Sequence, residues 1–465
     1  MDKSPSKTSK ADSAPPRLVA FCLRLQRRYL PAGSLRRSLV SGSFWSVAGA
    51  VLSRGFTLAI GILIARRLGK AGYGQWGVIV TAVSVFAQFS SFGISLIATK
   101  HVAEFKLTDP KRAGRILSFV MAMGLITLAS ASLGLVLLAR WLALLYNAPE
   151  LAGAFMLGGL ILFTQVGTTM LQGALAGFGD FRGIAAVNLV QGSALFFVAV
   201  PLTWWWGLQG ALIAMVISWG AGLLLCVRVV VVRCRAYGMT IRFRGIWQER
   251  RMLWHYSIPS VLTSGIAGPT TMLAQAMVAR LPGGMAGLGG FQAAFRMQQI
   301  VLFIPGAVRR VTLPMLSELQ GVADRNRYVR ALRANVLVNG GVALIGALPL
   351  AVLSPWIMSL YGKAFRQDWD LLVILVLAGV FQAINDVLTQ VMASLGRVWF
   401  FFGAYFVWGV VLLVGSVLTV PTYGARGYTF SLAAATVLIM LINYIGARMF
   451  IQKKWPETRN SLFAG

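Results

Sequence analysis

Acidic residues are scarce in this chain: 13 Asp and Glu stand against 43 Lys and Arg over 465 residues. A carrier of cations needs carboxylates inside the membrane, and only one, Asp386, falls well within an apolar run. Cysteine is scarcer still. Cys22, Cys226 and Cys234 all fall near what the charge pattern makes the cytoplasmic side, which argues against structural disulfides and supplies no metal motif. His101 and His255 sit at helix ends and read as interfacial residues. The glycine-rich segments 173–179 and 282–290 lack the Gly-Lys-Ser/Thr ending of a phosphate-cradling loop, so ATP is not expected to drive the chain directly. Long polar loops are missing too. The longest outer gap, about Pro355–Trp369, is too short to hold an acceptor and carries no convergent acid–base group, which disfavours a membrane polymerase or ligase. No cofactor is expected.

What the chain has in abundance is apolar sequence. Hydrophobic residues make up 57% and the mean hydropathy is +0.73. Twelve runs of near-span length lie close to 43–64, 76–98, 114–139, 152–175, 184–203, 208–231, 256–280, 289–308, 332–354, 370–394, 398–420 and 427–450. Uninterrupted runs of this length satisfy their backbone polar groups in lipid only as helices; barrel strands are shorter and alternate. No cleavable signal peptide is expected, because the first run follows about forty mostly polar residues.

Basic residues fall in alternate gaps. With the N-terminus in the cytoplasm, about 33 of the 43 Lys and Arg lie inside and roughly eight outside. Both termini are therefore expected to be cytoplasmic. The net charge of +30 follows from this asymmetry and from attraction to anionic lipids, not from nucleic-acid binding. Leu18–Leu30 reads as a basic amphipathic helix on the membrane surface.

The chain also repeats itself. At a shift of 215–219 residues, Ala71-Gly72-Tyr73-Gly74 meets Ala286-Gly287-Leu288-Gly289, Trp141 and Tyr146 meet Trp356 and Tyr361, and Gly207 and Gly210 meet Gly424 and Gly427. Gln165 and Gln172 correspond to Gln382 and Gln390. The pattern predicts an all-α integral membrane protein with about 12 transmembrane helices in two tandem six-helix bundles around a central cavity. Its divisions are a basic tail (1–40), a first bundle (41–231), a basic linker (232–255), a second bundle (256–451) and a tail (452–465). The aromatic groups Trp141/Tyr146 and Trp204-Trp205-Trp206 read as interface anchors.

Polar residues within the runs mark the cavity. Arg54 lies near the middle of the first span, where facing lipid would cost about 2.5–3.5 kcal/mol, so it should face inward. Gln292, Arg296 and Gln299 share a face of the eighth span; Gln382, Asp386 and Gln390 share one on the tenth. Gln165, Thr169 and Gln172 lie on the fourth, Asn188 and Gln191 on the fifth, and Thr81, Ser84, Gln88, Ser91 and Ser95 form a stripe on the second. The candidate cavity residues are thus Arg54, Arg296, Gln88, Gln165, Gln172, Asn188, Gln292, Gln299, Gln382 and Gln390. Asp386 is a coupling candidate, with a structural salt bridge as the competing reading.

The strings Ser43-Phe44-Trp45-Ser46, Arg54-Gly55, Ile64-Ala65-Arg66-Arg67-Leu68-Gly69 and Tyr73-Gly74 resemble the opening of bacterial polysaccharide-biosynthesis membrane proteins. These are the Wzx-type flippases of the multidrug/oligosaccharidyl-lipid/polysaccharide superfamily. The resemblance is most specific over 43–115 and extends loosely over 43–450. It implies translocation of an undecaprenyl-pyrophosphate-linked oligosaccharide from the cytoplasmic to the periplasmic leaflet of the inner membrane, with polysaccharide polymerase and glycosyltransferases as partners. Two alternatives stay open, a multidrug or cation exporter of the same superfamily and, in another class, a polysaccharide polymerase or ligase.

Overall fold

A computed structural model describes residues 35–91, 94–240, 251–306, 308, 312, 316, 318 and 325–454; side chains of 35–54, 91, 94, 96, 251–264 and 398 are outside that description. The tail 1–34 with its amphipathic segment, the Arg54 and Ser91 side chains, linker residues 241–250 and the tail from 455 onward therefore lie outside the described residues.

The described elements are helical throughout. In chain order they are α1 (Leu35–Ser91), α2 (Ile94–Phe105), α3 (Pro110–Leu137), α4 (Ala139–Leu145), a 3-10 turn (Pro149–Leu151), α5 (Ala152–Phe178) and α6 (Phe181–Ala236). The second half holds α7 (Arg251–Ala279), α8 (Gly284–Val301), α9 (Arg325–Val352), α10 (Ser354–Tyr361), a 3-10 turn (Lys363–Asp368), α11 (Trp369–Ser394), α12 (Val398–Tyr423) and α13 (Ala425–Lys454). α1 breaks at Gly69 (φ 70°, ψ −178°) and α6 at Gly207 (φ 54°, ψ −128°), so each supplies two spans. Each half then crosses six times, giving about 12 transmembrane helices. The face bearing Leu35 and Lys454 is called proximal here, and the face bearing the Gly69 and Gly207 breaks distal.

Charged residues close the helix ends on the proximal face. The Asp109 carboxylate accepts from the Arg112 amide at 2.9 Å, capping α3 ahead of Pro110. Asp180 caps α6 through the Gly183 amide at 2.9 Å and accepts from Arg233 Nε at 2.6 Å, tying the two ends of α6 together. Lys106 Nζ donates to the last carbonyls of α5, Gly177 and Phe178, at 3.2 and 3.0 Å.

The repeat is visible in backbone geometry. Gly424 (φ 55°, ψ −129°) reproduces the Gly207 break almost to the degree. A Cβ at Gly210 would overlap the Leu202 carbonyl, and one at Gly427 the Thr419 carbonyl, so both halves need glycine three residues after the break. The short helices α4 and α10 also match. Trp141 and Trp356 are exposed by 56% and 76% as membrane anchors should be, but Tyr146 and Tyr361 are both at 0%. The anchor reading of Tyr146 is therefore corrected. Its ring stacks on Phe155 and its hydroxyl donates to the Met272 carbonyl at 3.2 Å, in the opposite half.

Apolar packing differs between the two faces. One continuous core joins distal residues of both halves, among them Tyr73, Trp76, Tyr146 and Phe155 with Leu288, Phe291, Tyr361 and Tyr428. Toward the proximal face the first half has its own core, around Ile116, Leu175 and Cys226, and the second half another, around Tyr328, Leu388 and Ile451. The halves are joined distally and packed separately proximally.

Candidate functional site

The distal junction is built on glycine. The second part of α1 crosses α8 so closely that a Cβ at Gly74 would overlap the Met285 carbonyl, and one at Gly289 would overlap the Lys70 carbonyl. The contact is reciprocal, because Lys70 and Met285 are themselves repeat partners at a shift of 215 residues. One turn deeper, the Gln292 side chain fills the space a Cβ at Gly77 would take and donates to Thr81 Oγ1 at 3.3 Å.

Polar and aromatic side chains rim this crossing. Lys70 Nζ donates to Asp368 at 2.9 Å, with both partners mostly buried, and Arg66 Nε donates to the Leu360 carbonyl at 2.7 Å. From the other half, Arg280 Nε reaches the Leu145 carbonyl at 2.9 Å. The Tyr73 ring stacks with Trp76 at 5.2 Å and meets Tyr361 and Phe365 at 5.9 and 6.0 Å. Burial, reinforced by Tyr73, holds the Tyr361 phenol well above its ordinary range against the lowering effect of Arg296, so Tyr361 stays a neutral hydroxyl.

Arg296 lies beneath this closure. It sits twelve residues into α8, about three turns and roughly 18 Å from the helix start. Its guanidinium is 5.0 Å from the Trp76 ring centroid and lines a cavity of about 250 Å³ with Thr57, Gly61, Gln299 and Tyr361. The side chain is engaged between the halves and is not directed into lipid. A second cavity, about 320 Å³, lies in the first half, where Gln88 and Gln165 converge with Ser84, Ser95 and Thr169. The stripes on spans two and four thus meet across one space.

The other candidates divide. Gln172 Nε2 donates to Asn188 Oδ1 at 3.0 Å, so these two bind α5 to α6. Gln191 packs on Gly222, and its backbone carbonyl accepts from Ser218. Gln292, exposed by 4%, is committed to the inter-half contact and is not an open cavity residue while the distal face is closed. Gln382 Nε2 donates to Asp386 Oδ1 at 3.0 Å, and Gln390 lies one turn further along α11. The sequence reading missed Asn385 and Asn443, which pair at 2.8 Å in the core of the second half, and Gln275, which donates to the Tyr428 hydroxyl at 3.4 Å. Asn385 adjoins Asp386 and could have been singled out from that stripe. Asn443 gave no signal, being a lone amide in an apolar run.

Two six-helix halves that share a core at one face, part into separate cores at the other and hold an arginine between them define a multi-pass membrane carrier fold. Solved structures agree on that fold. An inward-facing multidrug-resistance MATE transporter of the MOP superfamily superposes with TM-score 0.71 at 15% identity, over 87% of this chain and 95% of that one. The lipid II flippase MurJ in its inward closed conformation superposes with TM-score 0.68 at 12% identity, over 90% and 94%. The chain belongs to the family described as "Polysaccharide biosynthesis protein", whose model matches residues 63–338. It is 25% identical over 419 residues to the EPS I polysaccharide export inner membrane protein EpsE of Ralstonia nicotianae, covering 88% of this chain and 93% of that protein.

Proposed function

We propose that this protein is a flippase that carries an undecaprenyl-pyrophosphate-linked oligosaccharide from the cytoplasmic to the periplasmic leaflet of the bacterial inner membrane, by alternating access. The observation that carries the reading is Arg296, a cation held between the halves directly beneath a closed distal junction. A pyrophosphate crossing the bilayer needs a positive partner in a space that opens to one face at a time. The relatives support the substrate class, one being named for polysaccharide export and a fold neighbour for flipping lipid II. The basic gaps on the proximal face support a cytoplasmic position for that face and for both termini.

On this reading the structure is the inward-open state. The anionic head enters between the separately packed proximal cores, the amides of Gln88, Gln165 and Gln299 offer donors and acceptors to sugar hydroxyls, and the prenyl tail stays in lipid. Arg296 and, from the first span, Arg54 meet the pyrophosphate; an Arg fork binds two phosphate oxygens where Lys presents a point charge. Asp386 is the group whose charge couples an ion to the cycle. Glycosyltransferases supply the substrate on the cytoplasmic side and a polymerase consumes it on the other. The test is transport in a strain lacking any other such carrier: Arg296→Ala, verified as inserted, should accumulate lipid-linked sugar on the cytoplasmic leaflet, and Arg296→Lys should restore part of the flux. Parental flux in Arg296→Ala overturns the reading.

A further inference from the structure

A cleft of about 340 Å³ opens between the first and fifth spans near the distal face, away from the inter-half cavity. Ile60, Leu63, Ile64, Ala199 and Val200 form its apolar wall, and Arg66, Arg67, Thr203 and Trp204 line its polar end. The chain keeps most of its basic residues off this face, so an adjacent arginine pair here runs against the general bias. Depth is marked by Trp204, Trp205 and Trp206, exposed one after another just before the Gly207 break, as aromatic residues are at headgroup level.

The polar end is built. Arg67 is oriented by its bond to the Trp204 carbonyl at 2.9 Å and by stacking over the Trp204 ring at 4.6 Å, while Arg66 is held through Nε to Leu360. Thr203 is 2% exposed, lines the cleft, and its hydroxyl has no hydrogen-bond partner, although a buried hydroxyl ordinarily finds one. Two guanidiniums and an unpaired hydroxyl above an apolar slot match a phosphate diester carrying an acyl chain.

We propose that this cleft binds the headgroup of an anionic phospholipid of the distal leaflet, with the phosphate on Arg66, Arg67 and Thr203 and one acyl chain along Ile60, Ile64 and Ala199. The site also reaches the distal junction. Arg66 donates across the halves to Leu360, so a phosphate drawing that guanidinium away loosens one of the contacts holding the face closed. The lipid would then favour distal opening.

Native mass spectrometry of the purified full chain, titrated with phosphatidylglycerol, phosphatidylcholine or inorganic phosphate, tests this. Phosphatidylglycerol should show one site about tenfold tighter than phosphatidylcholine, and inorganic phosphate should not displace it. Arg66→Gln/Arg67→Gln should abolish the tenfold preference. Thr203→Val, nearly isosteric, should weaken the site severalfold. Val200→Trp, on a half-exposed position of the wall, should block the acyl slot while leaving both arginines, so it keeps the test informative if the double variant fails to fold. Equal binding of the two lipids, full displacement by inorganic phosphate, or unchanged lipid binding in both Thr203→Val and Val200→Trp would overturn the proposal.

Discussion

The two hairpins that meet at the distal face make the same close contact with different chemistry. Gly74 presses on the Met285 carbonyl as Gly289 presses on that of Lys70, so the crossing is close to a two-fold reciprocal contact. Yet at the equivalent positions the first half offers Tyr73, Gly77 and Thr81 where the second offers Leu288, Gln292 and Arg296. The acidic partner of Lys70, Asp368, also comes from the second half. The comparison separates two tasks. Close approach is specified by both repeats equally and sets how the halves meet; at these equivalent positions only the second repeat carries a charge, Arg296.

The most severe way to break the comparison is to add a methyl group at its centre. Gly74→Ala or Gly289→Ala places Cβ on a backbone carbonyl, which cannot move aside as a side chain would; overpacking of this kind costs about 1–3 kcal/mol or more. Each should abolish distal closure and nearly all transport, read by cross-linking across the junction and by flux. The two should be equally damaging, and a harmless Gly289→Ala beside a damaging Gly74→Ala would show that the contact is not reciprocal. Next in size is the asymmetric charge. Arg296→Ala should cut transport at least tenfold, about 1.4 kcal/mol, with the protein still inserted, whereas Thr81→Ala at the matching position of the first half should cost a fraction of that.

Smaller effects are expected at the rim. Asp368→Asn removes one partner of the largely buried pair with Lys70 and should shift the closed–open balance by about 1–2 kcal/mol, measured by distal accessibility. The exchanged pair Lys70→Asp/Asp368→Lys should recover part of the loss if the pair acts as a lock, and recovery of none would assign Asp368 a separate role. Smallest in its effect on transport, Gly207→Ala and Gly424→Ala force a side chain into a positive-φ conformation at about 1–3 kcal/mol of stability each. Thermal unfolding should show nearly equal losses, and transport by the surviving folded fraction should be unchanged.

Spans and repeat were legible in the sequence because both are written in one dimension: apolar length, and glycine and aromatic residues recurring at a fixed offset. The same is true of the stripes, since Gln88 and Gln165 do meet across a cavity. Partnership was not legible. Gln292 shares a helical face with Arg296, but the glycine opposite it turns that amide into a packing residue, and helical spacing cannot reveal the neighbour. Tyr146 resembled an interfacial anchor because anchors and buried tyrosines both follow span ends; its hydroxyl bond to Met272, 126 residues away, decides the matter. Asn443 lay in an apolar run with nothing beside it to mark the partner, Asn385, 58 residues earlier.

The distance along the chain between Lys70 and its acidic partner also bears on how the protein is made. They are 298 residues apart, and at a synthesis rate of about 5–20 residues per second the first half waits roughly 15–60 s for Asp368 to emerge. For much of that interval its crossing glycine, Gly74, has no Met285 carbonyl to meet, and for nearly all of it the Tyr73 ring lacks Tyr361 and Phe365. The half that carries the first six spans therefore matures as a partly unsatisfied intermediate in the bilayer, and a ribosome that stalls between the repeats leaves Lys70 without its carboxylate and Tyr73 without two of its aromatic partners.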